Sequence, residues 1–229
     1  MRKSIIKLGL LVVVALLLAL PAIGCAREVT PPAEEKVVKI GHITDMSGPY
    51  SGITIMMTHA IMDYIKYINE QGGIDGVKVD LMWADCRSDP SIIVSTYKRF
   101  KGAGAILIWP HTSTDTAAIL AFLEGDKLIS YGASTAWSNI VPPGLHYSSY
   151  GASFQNVAAA LDWYYENVWK KKGLDRPMKV ACISWDSPFG RGGTEPALKW
   201  AEEKRGMEIV ADLWTPMMTM DYSTEWLVI

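Results

Sequence analysis

The sequence has few of the residues that would place it in several common protein classes. Only 3 of its 229 residues are cysteine, which excludes a small domain held together by many disulfides. Charged residues make up 20 % and the net charge is −2, so the chain lacks both the charge excess of a disordered tail and the basic surface of a nucleic-acid binder. With 49 % hydrophobic residues, it has the composition of one or two folded domains with buried cores.

Motifs for metal binding and catalysis are also scarce. The 4 histidines have neither i, i+4 spacing nor an HExxH pattern, so we predict no metal site. Gly102-Ala-Gly104 is too short for a dinucleotide-binding loop, and we predict no cofactor. Gly132-Ala-Ser-Thr-Ala loosely resembles the nucleophile elbow of serine hydrolases, but Pro142-Pro143-Gly144 follow where that elbow requires a helix. We therefore predict no catalytic residue and no enzyme, with a serine hydrolase as the least favoured alternative.

The first 24 residues are organised as a secretory signal peptide. Arg2 and Lys3 precede an apolar run from Leu8 to Leu20, and small residues follow it. The run is shorter than the roughly 20 residues that a membrane-spanning helix needs. We predict that residues 1–24 are a signal peptide and that the protein is exported.

Cys25 directly follows this segment. The preceding Ala22-Ile23-Gly24 resembles a lipobox, in which the cysteine is diacylated and becomes the new N-terminus. Ordinary signal cleavage that leaves a free cysteine is the alternative. Residues 25–36 contain proline and charge without an apolar pattern, so they resemble a flexible tether. We expect a periplasmic or cell-surface protein that is anchored to the membrane through a lipid on Cys25.

Residues 37–148 alternate between strand and helix patterns. Because strands separated by helices of ten or more residues form βαβ units, we predict an α/β lobe with a doubly wound parallel sheet. Asp89 and Pro90 have the residue types of an N-cap and a first helical position. The predicted strands and helices are Val37–Thr44, 53–69, 77–83, 91–100, 105–109, 114–124 and 127–131.

A second series of elements occupies residues 149–229. The patterns predict helices over 153–171 and 194–205, strands over 178–184 and 208–213, and a new helix with Ser223 as its N-cap. We interpret 146–151 as the crossing between two lobes and therefore as a hinge. Two strands expose their edges, so we expect the second lobe to be incomplete and the chain to be truncated within it.

Three segments carry a family resemblance. They are Lys39–Tyr50 (KIGHITDMSGPY), Asn69–Gly76 (NEQGGIDG) and Asp85–Pro90 (DCRSDP). In this order and spacing they resemble the periplasmic leucine/isoleucine/valine-type solute-binding proteins of ABC importers. The resemblance implies the two-lobed type I periplasmic binding protein fold, with the second lobe incomplete here. Cys86 matches one half of a disulfide in leucine-binding members, but its partner is absent, so we predict a free thiol and no bond to Cys182.

Ligands of doubly wound lobes bind at the carboxyl ends of the strands, where loops and helix N-termini present polar groups. Three such loops supply candidates, and the loop after the strand at 178–184 supplies an aromatic one. The alternative for the residues before the helix at 114–124 is helix capping, and for the aromatic it is packing. The candidate ligand-binding residues are Ser47, Tyr50, Thr112, Ser113, Ala133, Ser134, Thr135 and Phe189.

The resemblance adds roles for four of these residues. It implies that Ser113, Ala133 and Thr135 hold the carboxylate and amino group of an amino acid, and that Phe189 covers the ligand from the second lobe. We therefore predict an extracytoplasmic solute-binding component of an ABC transporter that captures a small polar ligand, such as a branched-chain or other amino acid. We expect a monomer that works with an ABC permease in the inner membrane. The alternative is a ligand-sensing domain of a receptor or regulator that recognises amides or amino acids.

Overall fold

The computed structural model describes residues 36–229. The predicted signal peptide (1–24), the candidate lipidation site Cys25 and residues 26–35 of the tether lie outside the described residues. Among the residues that are described, no helix is both long enough and apolar enough to cross a membrane.

Five parallel strands form the first sheet, as the alternating pattern predicted. Their spatial order is β2-β1-β3-β4-β5. The fifth strand was not predicted, because its three residues lie in the segment interpreted as a hinge; they pair instead with β4. The strands are β1 Val37–Thr44, β2 Lys78–Asp85, β3 Ala105–Pro110, β4 Ile129–Gly132 and β5 His146–Ser148.

Four helices accompany this sheet: α1 Ser51–Glu70, α2 Pro90–Gly102, α3 Ser113–Asp126 and α4 Trp137–Ile140. The first three confirm the predicted helices. The Asp89 side chain caps α2 as expected, since it accepts hydrogen bonds from the N–H groups of Ser91 (2.8 Å) and Ile92 (3.3 Å). The short α4 was not predicted, because four residues carry no measurable periodicity.

The main hydrophobic core belongs to the first sheet and its helices. It brings strand residues together with one face each of α2 and α3. Gly41 in β1 is required by this packing, because a Cβ at that position would lie 2.6 Å from the Phe100 ring. The fully buried apolar side chains of the core are Ile43, Cys86, Ile93, Tyr97, Ile108 and Ile119.

A second group of elements follows β5. Its two strands form a separate parallel sheet, and Met178, Ala201 and Met207 form a small core beside them. The predicted helix over 153–171 has the right extent, but its hydrogen bonding changes from α-helical to a π turn at Tyr165–Trp169 and a 3-10 turn at Lys170–Lys172. The other elements are α5 Ser153–Tyr164, β6 Lys179–Trp185, α6 Pro188–Arg205, β7 Glu208–Thr215 and α7 Ser223–Trp226.

Two helix starts differ from the predicted ones. Ser187 caps α6 by accepting a hydrogen bond from the N–H of Gly190 at 3.2 Å, so the helix starts well before Thr194 and places Pro196 in its interior. Tyr222 precedes α7, and Ser223 is its first residue rather than its N-cap. The Asp221 carboxylate accepts from the Ser223 N–H at 2.9 Å, which is a local turn contact ahead of the helix.

Both cysteines of the described residues are free, which confirms that Cys86 and Cys182 do not pair with each other. Cys86 is fully buried in the main core, and Cys182 lies in β6. Burial raises the pKa of both thiols, so they remain protonated at neutral pH.

Candidate functional site

The strand order of the first sheet identifies where a ligand site is expected. The chain order reverses between β1 and β3, which makes this position the topological switch point of the sheet. The loops that leave the carboxyl ends of these two strands diverge there and open a crevice. Residues 45–50 follow β1, and residues 111–112 follow β3 and lead directly into α3.

A cavity of about 170 Å³ lies at this position. Four segments line it: the beginning of α1, the residues between β3 and α3, the residue after β4, and the region where β6 leads into α6. No lysine, arginine, aspartate or glutamate is among the lining residues, which are Tyr50, Ile53, Thr54, Met57, His111, Thr112, Ser113, Ala133, Trp185 and Phe189.

The N-terminus of α3 forms one wall of the cavity. Thr112 and Asp115 form a capping box: the Thr112 hydroxyl accepts from the Asp115 N–H at 3.1 Å, and the Asp115 carboxylate accepts from the Thr112 N–H at 2.8 Å. Thr112 therefore has the capping role that was the alternative for it. The N–H groups of Ser113 and Thr114 lie in the first turn, where no preceding helical carbonyl is available, so this end of α3 favours a negatively charged group.

Ser113 and Ser134 are joined in a buried hydrogen-bond network. The Ser113 hydroxyl oxygen accepts from the Ser134 hydroxyl at 3.3 Å and from the Thr135 N–H at 3.4 Å. Asn139 completes the network by donating to the Ser134 hydroxyl and to the Ser113 carbonyl, both at 2.8 Å. Ser134 is fully buried and does not line the cavity, so it positions Ser113 and the loop after β4. Asn139 lies in the unpredicted α4, and its sequence context carries no signal for this role.

Three buried hydroxyl groups in or next to the lining segments have no hydrogen-bond partner among the described residues. The Oη of Tyr50 belongs to a lining residue, whereas the Oγ1 atoms of Thr114 and Thr135 lie within two residues of lining residues and do not line the cavity themselves. Buried polar atoms are nearly always paired, because leaving one unpaired costs about 1–3 kcal/mol. An unpaired hydroxyl at a cavity is therefore a candidate contact for a ligand.

The loop after β1 is held by carboxylates. Ser47 donates its hydroxyl hydrogen to Asp85 at 2.6 Å, at the end of β2, and does not line the cavity. Asp45 is fully buried and accepts from the Tyr50 N–H at 3.1 Å and from the Ser88 hydroxyl at 2.9 Å. The two carboxylates fix the loop so that Tyr50 enters the cavity while Ser47 supports the backbone.

Two aromatic side chains form the wall that the second group of elements contributes. The rings of Trp185 and Phe189 lie with their centroids 6.4 Å apart. Trp185 is held in place because its Nε1–H donates to the Tyr222 hydroxyl at 2.9 Å. Phe189 is 45 % exposed, which is unusual for a packing aromatic and leaves its ring available to a ligand.

Several cavity residues were not identified from the sequence. Ile53 and Met57 belong to the apolar pattern of α1, which is the same whether that face packs in a core or borders a cavity. His111 was considered only as a metal ligand. Burial lowers the pKa of His111, so its ring is neutral at pH 7. The site thus combines apolar and aromatic walls with N–H donors, hydroxyls and a neutral imidazole.

This combination defines the class of the protein as a two-sheet α/β fold with a candidate ligand cavity at the switch point. The family model of the periplasmic binding proteins matches residues 37–229. The chain therefore belongs to the periplasmic binding protein family. A curated relative, the Leu/Ile/Val-binding protein homolog 3 of Brucella melitensis, is 26 % identical over 183 residues, which cover 78 % of this chain and 48 % of the relative.

Solved structures have the same fold. A branched-chain amino acid ABC transporter protein from Thermus thermophilus with bound valine matches with a TM-score of 0.72 and 19 % identity, over 84 % of this chain and 49 % of that one. The fatty acid ABC transporter substrate-binding protein from Thermomonospora curvata matches with a TM-score of 0.70 and 20 % identity, over 85 % and 48 %. The chain spans about half the length of these relatives.

Proposed function

We propose that this chain contributes the ligand-capturing site of an extracytoplasmic solute-binding protein that serves an ABC importer. The ligand is a small molecule with a carboxylate, in the first instance an amino acid. The observation that supports this most directly is the first turn of α3 at Ser113, where the N–H groups of Ser113 and Thr114 have no preceding helical carbonyl, beside a cavity walled by Tyr50 and Phe189.

The roles of the site residues follow from their chemistry. The carboxylate accepts hydrogen bonds from the N–H groups at the start of α3 and from the hydroxyls of Ser113 and Thr135, so no arginine is needed to neutralise it. Ala133 contributes its backbone carbonyl to an amino group of the ligand. Tyr50 and Phe189 enclose the side chain of the ligand from opposite sheets.

The second-sheet elements close the site over the ligand. Ser47 and Ser134 shape the loops and do not contact the ligand, whereas Thr112 caps α3 at the cavity wall. The closed form docks on a permease in the membrane, to which the lipidated Cys25 tethers the protein. No covalent step is involved, so the protein is not an enzyme.

The experiment is a binding titration of the purified chain by NMR, which detects weak binding as well as strong. The panel contains valine, leucine, phenylalanine and 4-hydroxybenzoate. We expect at least one amino acid to shift the amide signals of Ser113 and Thr135. Ser113→Ala should weaken that binding about tenfold, since a hydrogen bond to a charged group is lost.

Ser95→Ala is the matched control, because Ser95 is exposed on α2 and its hydroxyl bonds only to the Ile92 carbonyl. It should leave the titration unchanged. Signal changes confined to residues away from the cavity, or no binding by any member of the panel, would contradict the proposed function.

A further inference from the structure

A buried chain of polar side chains connects the centre of the first sheet with the cavity. It consists of His42 and Thr44 on β1, Thr58 on α1, and His111 after β3. The first three are fully buried, and His111 is 5 % exposed at the cavity wall. Four buried polar side chains in contact with one another require a specific reason.

Consecutive members of this chain lie within hydrogen-bond distance. His42 Nδ1 lies 3.0 Å from the carbonyl oxygen of Trp109, and His42 Nε2 lies 3.3 Å from Thr58 Oγ1. Thr58 Oγ1 is 2.8 Å from Thr44 Oγ1, which is 3.3 Å from His111 Nδ1. The chain therefore runs without interruption from a backbone carbonyl to the imidazole at the cavity.

The backbone carbonyl determines the direction of every hydrogen bond in the chain. A carbonyl oxygen only accepts, so His42 Nδ1 carries the hydrogen. If the ring is neutral, His42 Nε2 accepts from the Thr58 hydroxyl, and Thr58 in turn accepts from Thr44. Because the Thr44 hydrogen is used toward Thr58, its oxygen accepts from His111 Nδ1–H.

Both imidazoles are neutral at pH 7. Burial and the neighbouring His111 lower the pKa of His42 to about 4, although the contact with the Trp109 carbonyl opposes this shift. Burial also lowers the pKa of His111. Any other hydrogen arrangement that keeps all four contacts requires a positive charge on His42, which its burial opposes.

The remaining nitrogen of His111 is consequently an acceptor. Its recorded contact is the Met57 sulfur at 3.3 Å; a hydrogen bond there would require Nε2–H, which the hydrogen arrangement of the chain excludes, and a thioether sulfur carries no hydrogen to donate. Both His111 and Met57 line the cavity. The chain thus presents a lone pair of His111 Nε2 at the cavity wall, beside apolar groups that cannot satisfy it.

We propose that His111 Nε2 accepts a hydrogen bond from an N–H or O–H group of the bound ligand. Thr44, Thr58 and His42 are positioning residues that hold His111 in the required tautomer. The site would then select ligands that carry a hydrogen donor beside the Met57 wall over otherwise similar ligands that lack one. This inference rests on the proposed function, since it assigns a determinant of specificity to the same cavity.

The tautomer can be measured in the ligand-free chain by long-range proton–nitrogen NMR of the imidazole rings. The sequence has only 4 histidines, so the spectrum is simple, and exposed His59 provides an internal reference. We expect Nδ1–H and an unprotonated Nε2 for His111 at pH 7. A protonated Nε2 on His111 would overturn the proposal.

A pair of variants tests the positioning chain. Thr44→Val removes the acceptor for His111 Nδ1–H, so we expect the ring to exchange between tautomers. Thr44→Ser keeps the hydroxyl and should retain the wild-type tautomer. An unchanged His111 tautomer in folded Thr44→Val would refute the role of the chain. If that variant does not fold, Thr58→Val provides the same test.

Ligand binding tests the acceptor itself. His111→Asn keeps a side-chain amide that can donate to Thr44 but lacks a group at the position of Nε2. For any amino acid that binds the wild type, we expect about tenfold weaker binding to His111→Asn. The analogue of that ligand without its hydrogen donor should bind both chains alike.

The two proposals fail in distinguishable ways. Equal affinity of the wild type and His111→Asn for a ligand with a donor would overturn the role of His111 while leaving the proposed function intact. If no member of the panel binds, the proposed function is contradicted, whereas the tautomer measurement still decides whether His111 Nε2 is an acceptor.

Discussion

Gly192 and Ala136 lie so close together that a Cβ built on Gly192 would come within 2.6 Å of the Ala136 Cβ. Gly192 belongs to α6, in the second group of elements, whereas Ala136 precedes α4 beside the first sheet. The contact therefore joins the two sides of the candidate site. The neighbouring Gly193 is packed as tightly within the second group of elements, because a Cβ there would overlap the side chain of Ser153 at the start of α5.

We predict that Gly192→Ala disrupts this contact. The added methyl group overlaps Ala136, and overpacking of this kind costs about 1–3 kcal/mol. Urea denaturation should show a loss of stability in that range, and NMR titration should show weaker ligand binding, although Gly192 does not line the cavity.

Gly125→Ala is the matched control for this substitution. Gly125 is also helical, in α3, and a Cβ there meets nothing within 4 Å. Alanine is favoured over glycine within helices by up to about 1 kcal/mol, so this variant should be as stable as the wild type or more so. A Gly192→Ala chain as stable as Gly125→Ala would contradict the close packing.

The second prediction concerns the unpaired hydroxyl of Tyr50. Tyr50→Phe removes a buried oxygen that has no partner, so the free energy of unfolding should be unchanged or slightly higher. If Tyr50 contacts the ligand, binding should weaken about tenfold. Tyr97→Phe should instead lower the free energy of unfolding and leave binding unchanged, because the Tyr97 hydroxyl donates to Asp126 at 2.9 Å and neither residue lines the cavity. Equal binding by Tyr50→Phe would exclude the hydroxyl from the site.

The third prediction concerns the carboxyl group of Asp115, which lies beneath the first turn of α3. Burial raises its pKa to about 7, although the N–H of Thr112 donates to it. The folded state then binds a proton that the unfolded state releases, so this group makes stability fall as the pH rises from about 4 to about 7. Asp115→Asn does not titrate. Denaturation should therefore show that the free energy of unfolding falls more between pH 5 and pH 7 in the wild type than in Asp115→Asn.

The fourth prediction concerns buried His146, whose Nδ1 lies 3.0 Å from the Ser130 hydroxyl. Burial lowers its pKa from 6.5 to about 4. The unfolded state then binds the proton more readily, so the contribution of this group is complete above about pH 6.5 and is lost as the pH falls toward 4. The loss is about 3 kcal/mol, at about 1.4 kcal/mol per pKa unit. His146→Gln should lose less stability than the wild type between pH 7 and pH 4.5; equal losses would show that His146 does not titrate in this range.

Much of the fold could be predicted because local pattern and tertiary environment agree. The helices α1, α2 and α3 have caps or apolar periodicity that suffice to locate them, and β1 to β3 are continuous apolar or alternating runs. The elements that were missed are short or depend on distant partners. β5 exists because its three residues pair with β4, and α4 is too short to have a period.

The candidate site was predictable only in part. Tyr50, Thr112, Ser113, Ala133 and Phe189 line the cavity, and each was selected because it follows a predicted strand or begins a predicted helix. Ser47, Ser134 and Thr135 satisfied the same criterion but are not among the lining residues. Position in a loop does not determine which way a side chain faces, since that depends on distant partners such as Asp85 and Asn139.

The sequence by itself determined the α/β class, the parallel first sheet and the loops among which a ligand site must lie. These features depend on period, capping and connection length, which are local properties of the chain. The tertiary structure alone decided which hydroxyls remain unpaired and brought Gly192 against Ala136. It also linked His111 to a backbone carbonyl through three buried side chains. These relationships depend on distances between residues far apart in sequence, and no local pattern encodes them.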